Sequence, residues 1–498
     1  MKARWVAGLT ATIALAACGQ QAAPPQDVQQ EATGPARRYI IVYKDQAIPL
    51  KPLAAAPAAR LQKTIPQLGV ATAVLTPAQV TALKADPSVA AVGRERMYTL
   101  PPEKTFEAGK ADAASPGVKV AGPTADDFLW GRQWDIRRVG APAAWQRVPA
   151  NRQAKVTVAI LDTGVMDDHP DLQGQLNLKL ATNYCPETGG PNNSPAYPIY
   201  TRVFDFLNTV DTPLCVAAPD TAYHFHGTHV SGTVAAKFGG GGVVGVAPYA
   251  KIAAYKVFDR VRYMDGTTLV DDEFAWDGPL FAAIADASDR GIPVLNMSLG
   301  GLYDSQNPAD AAELLAWQRA MKFALAKGTL IVTSAGNEGA ELGVSQYVRA
   351  PGELPEAFDV SATGVSQLTL GGGFYDAVPG TDVLAEYSNY GRPIDIAAPG
   401  GDCGPTGICS QTTKYHLILS DAIDDSGGPT SGQATYYYVA GTSMAAPHVA
   451  GAAALVKAQY PTWTPAMIRF YLQMTADRIG SSYLFGAGLV NVQRATMF

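Results

Sequence analysis

Gly441-Thr442-Ser443-Met444-Ala445-Ala446-Pro447-His448-Val449-Ala450-Gly451 is the stretch on which the fold of this chain turns. Gly441 lets the backbone bend tightly and approach a ligand closely. Residues 444–457 are mostly Ala, Val and Leu, the composition of a buried helix. Pro447 is expected in the first helical turn, where a missing N–H costs little. Ser443 then stands where unpaired N–H groups point outward and the helix dipole favours negative charge. That position suits a nucleophile whose reaction passes through an oxyanion. A serine that merely caps a helix is the plainer reading, and the rest of the chain has to decide between the two.

With 498 residues, length alone suggests about three domains of roughly 150 residues. Hydrophobic residues make up 47%, enough for a sizeable core. Charged residues are 16% and the net charge is −6, without a basic block or a basic–aromatic ribbon, so nucleic acid is not an expected partner. No internal repeat is visible.

The first 18 residues do not belong to the fold. Lys2 and Arg4 precede an apolar run over 5–17, of signal-peptide length and too short to span a bilayer. The run ends Leu15-Ala16-Ala17-Cys18-Gly19, which resembles the lipobox of bacterial lipoproteins, whose Cys becomes the lipidated first residue. An ordinary secretory signal with a chance Cys is the alternative, and both imply export. Gly19, rather than Asp, favours the outer membrane where a cell has two. Of five cysteines, Cys18 is set aside; Cys185, Cys215, Cys403 and Cys409 remain. Local pairing suggests Cys185–Cys215 and Cys403–Cys409, among the connectivities that four cysteines allow. No histidine neighbours them at ligand spacing, so no metal ligands are assigned.

Residues 19–37 read as a flexible tether, rich in Gln, Ala and Pro. A compact α+β unit follows over 38–100. It has a strand at 39–43, helices at 57–66 and 77–85, and a further strand entered after Pro87. Residues 101–129 suit a linker with a processing site. The large domain, 130–498, begins near Trp130.

In that domain strands and helices alternate. Short apolar runs mark strands at 156–161, 252–257, 293–297, 329–333, 358–362 and 394–397. Helices are expected at 226–237, 279–290, 309–327, 443–458 and 465–476, the last capped by Thr464. The alternation predicts an α/β fold of three layers, a mostly parallel sheet with helices on both faces. Ligands of such sheets bind at the carboxyl ends of the strands. The apolar stretch 439–458 is no membrane span, because it holds Ser443, Pro447 and His448.

Four polar residues sit where elements open or end. Asp162 closes the strand in Ala159-Ile160-Leu161-Asp162-Thr163-Gly164. His226 opens a helix in His226-Gly227-Thr228-His229-Val230-Ser231-Gly232-Thr233. Asn337 lies in Ser334-Ala335-Gly336-Asn337-Glu338-Gly339, and Ser443 comes last. Taken singly, Asp162 and Asn337 read equally well as turn chemistry. Together the four are expected on one rim. The α/β-hydrolase order is Ser, then Asp or Glu, then His. Here the order is Asp, His, Ser, with no Gly-x-Ser-x-Gly elbow.

Order and motifs resemble the subtilisin family, peptidases of the S8 type, over about residues 130–498. The resemblance implies an exported serine endopeptidase with Asp162, His226 and Ser443 as its triad and Asn337 as the oxyanion-hole side chain. His229 is then structural and His224 a loop residue. Residues 38–100 resemble the family's inhibitor-type prodomain, which assists folding and blocks the site until cleaved. Ser298-Leu299-Gly300-Gly301 and Ser334-Ala335-Gly336 match the two walls of the first specificity pocket. Arg349 aligns loosely with the pocket floor, often Gly in the family. There it would favour an acidic side chain, unless it turns to solvent. Asp171, in His169-Pro170-Asp171-Leu172, matches a calcium ligand, whereas the facing loop Phe238-Gly239-Gly240-Gly241-Gly242 lacks the usual side-chain ligand. Backbone carbonyls of that loop remain to complete a structural calcium site with Asp171. No catalytic cofactor, protein or peptide substrates and a monomer are implied. The competing class is a surface lipoprotein that keeps the fold as a binding module.

Overall fold

The computed structural model describes residues 36–45, 60–100, 105–108, 127–183, 200–203, 224–265, 268–371, 374–424 and 432–497. The signal peptide with Cys18, most of the tether, much of the linker, and Cys185 and Cys215 lie outside the described residues.

An eight-stranded sheet organises the large domain. Its centre is four parallel strands side by side: Lys251–Lys256, Thr157–Asp162, Val294–Met297 and Leu330–Ser334. Phe358–Val365 follows in parallel, itself paired with Ile396–Pro399. Asp382–Leu384 is the one antiparallel member among the described residues, and Thr182–Asn183 borders the other edge. Alternate side chains of a strand face opposite ways. Val158 and Ile160 therefore enter one core, with the helices Phe225–Ala235 and Thr442–Gln459. Ala159 and Leu161 enter a second core, with Asp277–Asp289 and Ala311–Lys327. Both faces being covered explains why these strands are mostly apolar rather than alternating.

The N-terminal unit is a four-stranded antiparallel sheet in the order Arg60–Ile65, Val70–Leu75, Arg37–Tyr43, Val89–Arg94. Helix Pro77–Ala85 covers one face through Val80 and Leu83, and starts at a capping box between Thr76 and Gln79. The other face, with Ile40, Val42 and Val70, joins the core of helices Asp277–Asp289 and Ala311–Lys327. The helix expected at 57–66 is instead, over its described part, the strand Arg60–Ile65 and the beginning of a 3-10 turn, Pro66–Leu68. Its Ala-rich approach favours helix. Pairing with Val70–Leu75 overrides that local preference, because it satisfies a strand's hydrogen bonds.

Beyond this unit the chain stays attached. Met97–Thr99 pairs antiparallel with Phe274–Trp276. Thr105–Glu107, inside the expected linker, adds to Ala434–Val439, which also pairs with Ile418–Ile423. Cys403 and Cys409 form a disulfide. Among the described residues, no helix is long and apolar enough to cross a membrane.

Candidate active site

Adjacent parallel strands end at Asp162, Met297 and Ser334, which puts the acid, the Ser298 wall and the Ser334 wall on one rim. Helix Phe225–Ala235 begins there too. His226 Nδ1 meets both oxygens of Asp162, at 2.8 and 2.9 Å. Both side chains are buried, so the contact is made away from bulk water. Asp162 Oδ1 also accepts the Thr163 N–H at 2.8 Å. A carboxylate held in this way makes Nδ1 the protonated nitrogen of a neutral His226 and directs Nε2 as the basic one. Gly227 is required at the next position, because a Cβ there would stand 2.2 Å from the Gly164 carbonyl oxygen.

His224 is more than a loop residue: it caps this helix, its Nδ1 accepting the His226 N–H at 3.3 Å. His229 lies deeper. Its Nε2 donates to the carbonyls of Ile418 and Tyr437 at 3.2 and 3.1 Å. Burial drives its pKa down to about 3, so it stays neutral in neutral solution.

The helix that carries Ser443 starts at Thr442. Asn337 Oδ1 accepts both the Thr442 N–H (2.9 Å) and the Thr442 hydroxyl (2.7 Å). The Thr442 hydroxyl in turn accepts the Gly336 N–H at 3.1 Å. With its oxygen so engaged, Asn337 presents its amide NH₂ on the remaining side. The Met444 N–H is taken by the Gly441 carbonyl at 3.0 Å. Between them, the Ser443 N–H has no acceptor among the described residues. An asparagine NH₂ and a free N–H at a helix start are the two kinds of donor that an oxyanion needs.

Pro447 is not in the first turn but is the sixth residue of the helix. The hydrogen bond it cannot give leaves the Ser443 carbonyl open, and the Ser298 hydroxyl fills that place at 2.9 Å. His448, on the same helix, faces Asp135 Oδ2 and the Met444 carbonyl, each at 2.9 Å. Both contacts are internal braces.

Of the residues expected to line the pocket, Ser298, Leu299, Ser334, Ala335 and Gly336 are buried, and Gly300 is partly exposed. Arg349 does not turn to solvent. It sits on Tyr347–Ala350, opposite Leu302 of Gly301–Asp304, with its side chain only 14% exposed.

Asp171 does lie beside the loop at 238–242, yet the donors there are of the wrong kind for calcium. Its carboxylate accepts the N–H groups of Gly242 (3.2 Å) and Val243 (2.9 Å). A hard cation binds oxygen lone pairs, and this loop turns hydrogens toward Asp171 instead. Asp421 adds a second buried carboxyl, and ligating atoms of His169, Asp171 and Asp421 lie within 4.8 Å of one another. Burial first, then the Asp171 charge, pushes Asp421 well above the usual carboxylate range. On the side of this loop, Asp171 therefore meets N–H donors rather than the carbonyls that a calcium would share with it.

A buried acid holding a histidine, and a serine at the start of a helix braced by Ser298, share one rim of a parallel sheet in the chain order Asp, His, Ser of a serine hydrolase. The sequence profile of the subtilase family, Peptidase_S8, matches residues 153–488. The chain belongs to that family and is a subtilisin-like serine endopeptidase, whose catalysis needs no cofactor. It is 32% identical to subtilisin BL of Lederbergia lenta over 363 residues, 73% of this chain and 98% of that protein. Identity to subtilisin E of Bacillus subtilis is 28% over 436 residues, 88% of this chain and 83% of that one. The epidermin leader peptide processing serine protease of Staphylococcus aureus shares the fold, with a TM-score of 0.65 at 22% identity. That likeness covers 93% of this chain and 98% of the other.

Proposed function

We propose that Asp162, His226 and Ser443 are the triad with which this endopeptidase cuts proteins and peptides, and that it is made as an exported zymogen. In this reading His226 takes the proton of the Ser443 hydroxyl as Ser443 Oγ attacks the scissile carbonyl. Asp162 fixes the His226 tautomer and stabilises the imidazolium. The tetrahedral oxyanion accepts hydrogen bonds from the Asn337 amide and the Ser443 N–H. His226 then protonates the leaving amine, and water resolves the acyl-enzyme. The observation that carries the reading is the paired 2.8 and 2.9 Å contact of His226 Nδ1 with Asp162.

Residues 38–100 act as the inhibitor-type prodomain. Support comes from the packing of their sheet on the two helices Asp277–Asp289 and Ala311–Lys327. Cleavage falls within 101–129 and is made by the enzyme itself. Cys18 carries a lipid that holds the precursor on the cell envelope, and processing frees the catalytic domain from that anchor.

The test sets the mass of purified wild type beside Ser443→Ala, with casein cleavage assayed in parallel. Wild type is expected to lose its N-terminal segment and cut casein, and the variant to do neither. If both stay full length, and wild type remains inert once limited proteolysis has removed the N-terminal unit, the triad assignment is wrong.

A further inference from the structure

The guanidinium of Arg349 lies between the two walls of the pocket. A Cβ placed on Gly336 would stand 2.4 Å from both Cζ and Nε of Arg349. One placed on Gly300, in the opposite wall, would stand 3.6 Å from Nε and 3.7 Å from Nη2. Gly336 is what admits this cation, whereas a Cβ at Gly300 would meet it only at ordinary contact distance. Gly336 adds a second reason, because its φ of +101° belongs to the region that side chains avoid.

The hydrogen bonding of Arg349 is one-sided. Nη1 donates to Glu338 Oε1 at 2.8 Å, and Glu338 is 55% exposed. Glu338 also accepts from Asn389 Nδ2 at 2.6 Å. Nε, in contrast, is buried and has no partner among the described residues. The Nε–Nη2 edge is the face of a guanidinium that binds a carboxylate with two parallel hydrogen bonds. A buried charged donor left unpaired is costly, so this edge rewards a ligand that completes it.

We infer that Arg349 is a specificity-determining residue that selects substrates with an acidic side chain, above all glutamate, on the amino side of the scissile bond. The inference rests on the peptidase reading of the same site. A long apolar side chain would end against the guanidinium and bury its free edge without pairing it. The glutamate carboxylate accepts from Nε and Nη2, while Glu338 keeps Nη1 and stays near the solvent. Glutamine has the same shape but no charge, so it isolates the electrostatic contribution.

The experiment compares peptides that differ only at that residue (Glu, Gln, Phe, Leu or Lys) on processed wild type, Arg349→Gln and Arg349→Gly. A charge-assisted pair in a dry pocket is worth roughly tenfold to a hundredfold. Wild type is expected to prefer Glu over Gln by that factor in kcat/KM. Arg349→Gln keeps the packing and should bring the ratio near one. Arg349→Gly should also gain activity on Phe and Leu. Labelling by a fluorophosphonate, which reads the activated serine whatever the pocket prefers, runs alongside. Equilibrium binding of product peptides ending in Glu or Gln is measured on the same samples. Labelled wild type that cuts Phe or Leu peptides as well as Glu peptides overturns the inference and leaves the peptidase standing. Unlabelled wild type that still binds the Glu peptide at least tenfold more tightly than the Gln peptide overturns the triad reading and leaves Arg349 its role. Equal binding of the two overturns the inference in either case.

Discussion

The Ser298 hydroxyl donates to the Ser443 carbonyl at 2.9 Å, and Asn296 Nδ2 donates to that hydroxyl at 3.0 Å. The proposed pocket wall is thereby tied to the proposed nucleophile. The tie exists because Pro447, four residues on, has no N–H for that carbonyl. Ser298→Ala leaves a buried acceptor unsatisfied, which costs about 1–3 kcal/mol. Denaturant unfolding should show a loss in that range, with a fall in kcat as Ser443 loses its brace. A variant as stable as wild type would mean that another donor reaches the carbonyl.

Asn337 is oriented by Thr442, which occupies the amide oxygen twice. Removal of the oxyanion-hole asparagine from a related subtilisin costs roughly 10²–10³ in kcat, and we carry that order over to Asn337→Ala. Thr442→Val keeps the shape but loses the hydroxyl, so a smaller drop is expected. KM should change little in both, because the oxyanion forms only after binding. A rise in KM at constant kcat would count against this assignment.

The α/β alternation was legible because each central strand is buried on both faces and the helices Phe225–Ala235 and Thr442–Gln459 are buried almost throughout. The site motifs were legible because their residues end or open those elements. The environment of a side chain was not. Nothing local distinguishes an Arg349 lodged between two glycines from one in solvent, since Gly300 and Gly336 are remote in sequence. The strand Arg60–Ile65 was misread because local composition favours helix while its partner lies further along the chain. The Pro447 position followed a misplaced helix start. Asp421 passed unnoticed because its significance depends on Asp171, which folding alone brings beside it.

Asp421 sets an expectation for the stability of the processed domain. Its folded pKa is raised, so the folded state binds a proton that the unfolded chain gives up earlier. The stability held through that proton is full in acid and falls as pH rises above the ordinary carboxylate range. Asp421→Asn mimics the protonated acid and should flatten this fall, so its advantage in Tm grows from about pH 5 to pH 9. A chelator should leave the Tm of both proteins unchanged, given the N–H groups that fill the calcium position. A chelator-induced drop restored by calcium would show that a cation does reside there.

The contact between the N-terminal unit and the large domain holds two more acids of this kind. Asp277 accepts from the Tyr98 hydroxyl at 2.5 Å and from the Arg96 N–H at 2.7 Å. Glu313 lies under Gly93, and Arg96 reaches Asp310 at 3.0 Å. Tyr98 also bonds Tyr303, which accepts from Trp317 at 2.8 Å. Burial is the main force raising both acids, aided by the Glu95 charge at Asp277 and by the Asp277 charge at Glu313. If the N-terminal unit leaves as proposed, water reaches both acids and their pKa values fall back toward about 4. Association therefore takes up protons. It is tightest in acid and weakens as pH rises, by up to about tenfold per pH unit for each acid. Recovery of activity after processing should be slow at about pH 5 and fast at about pH 9. Glu313→Gln should remove part of that dependence without altering the triad. Release that instead quickens toward acid would assign control to groups other than Asp277 and Glu313.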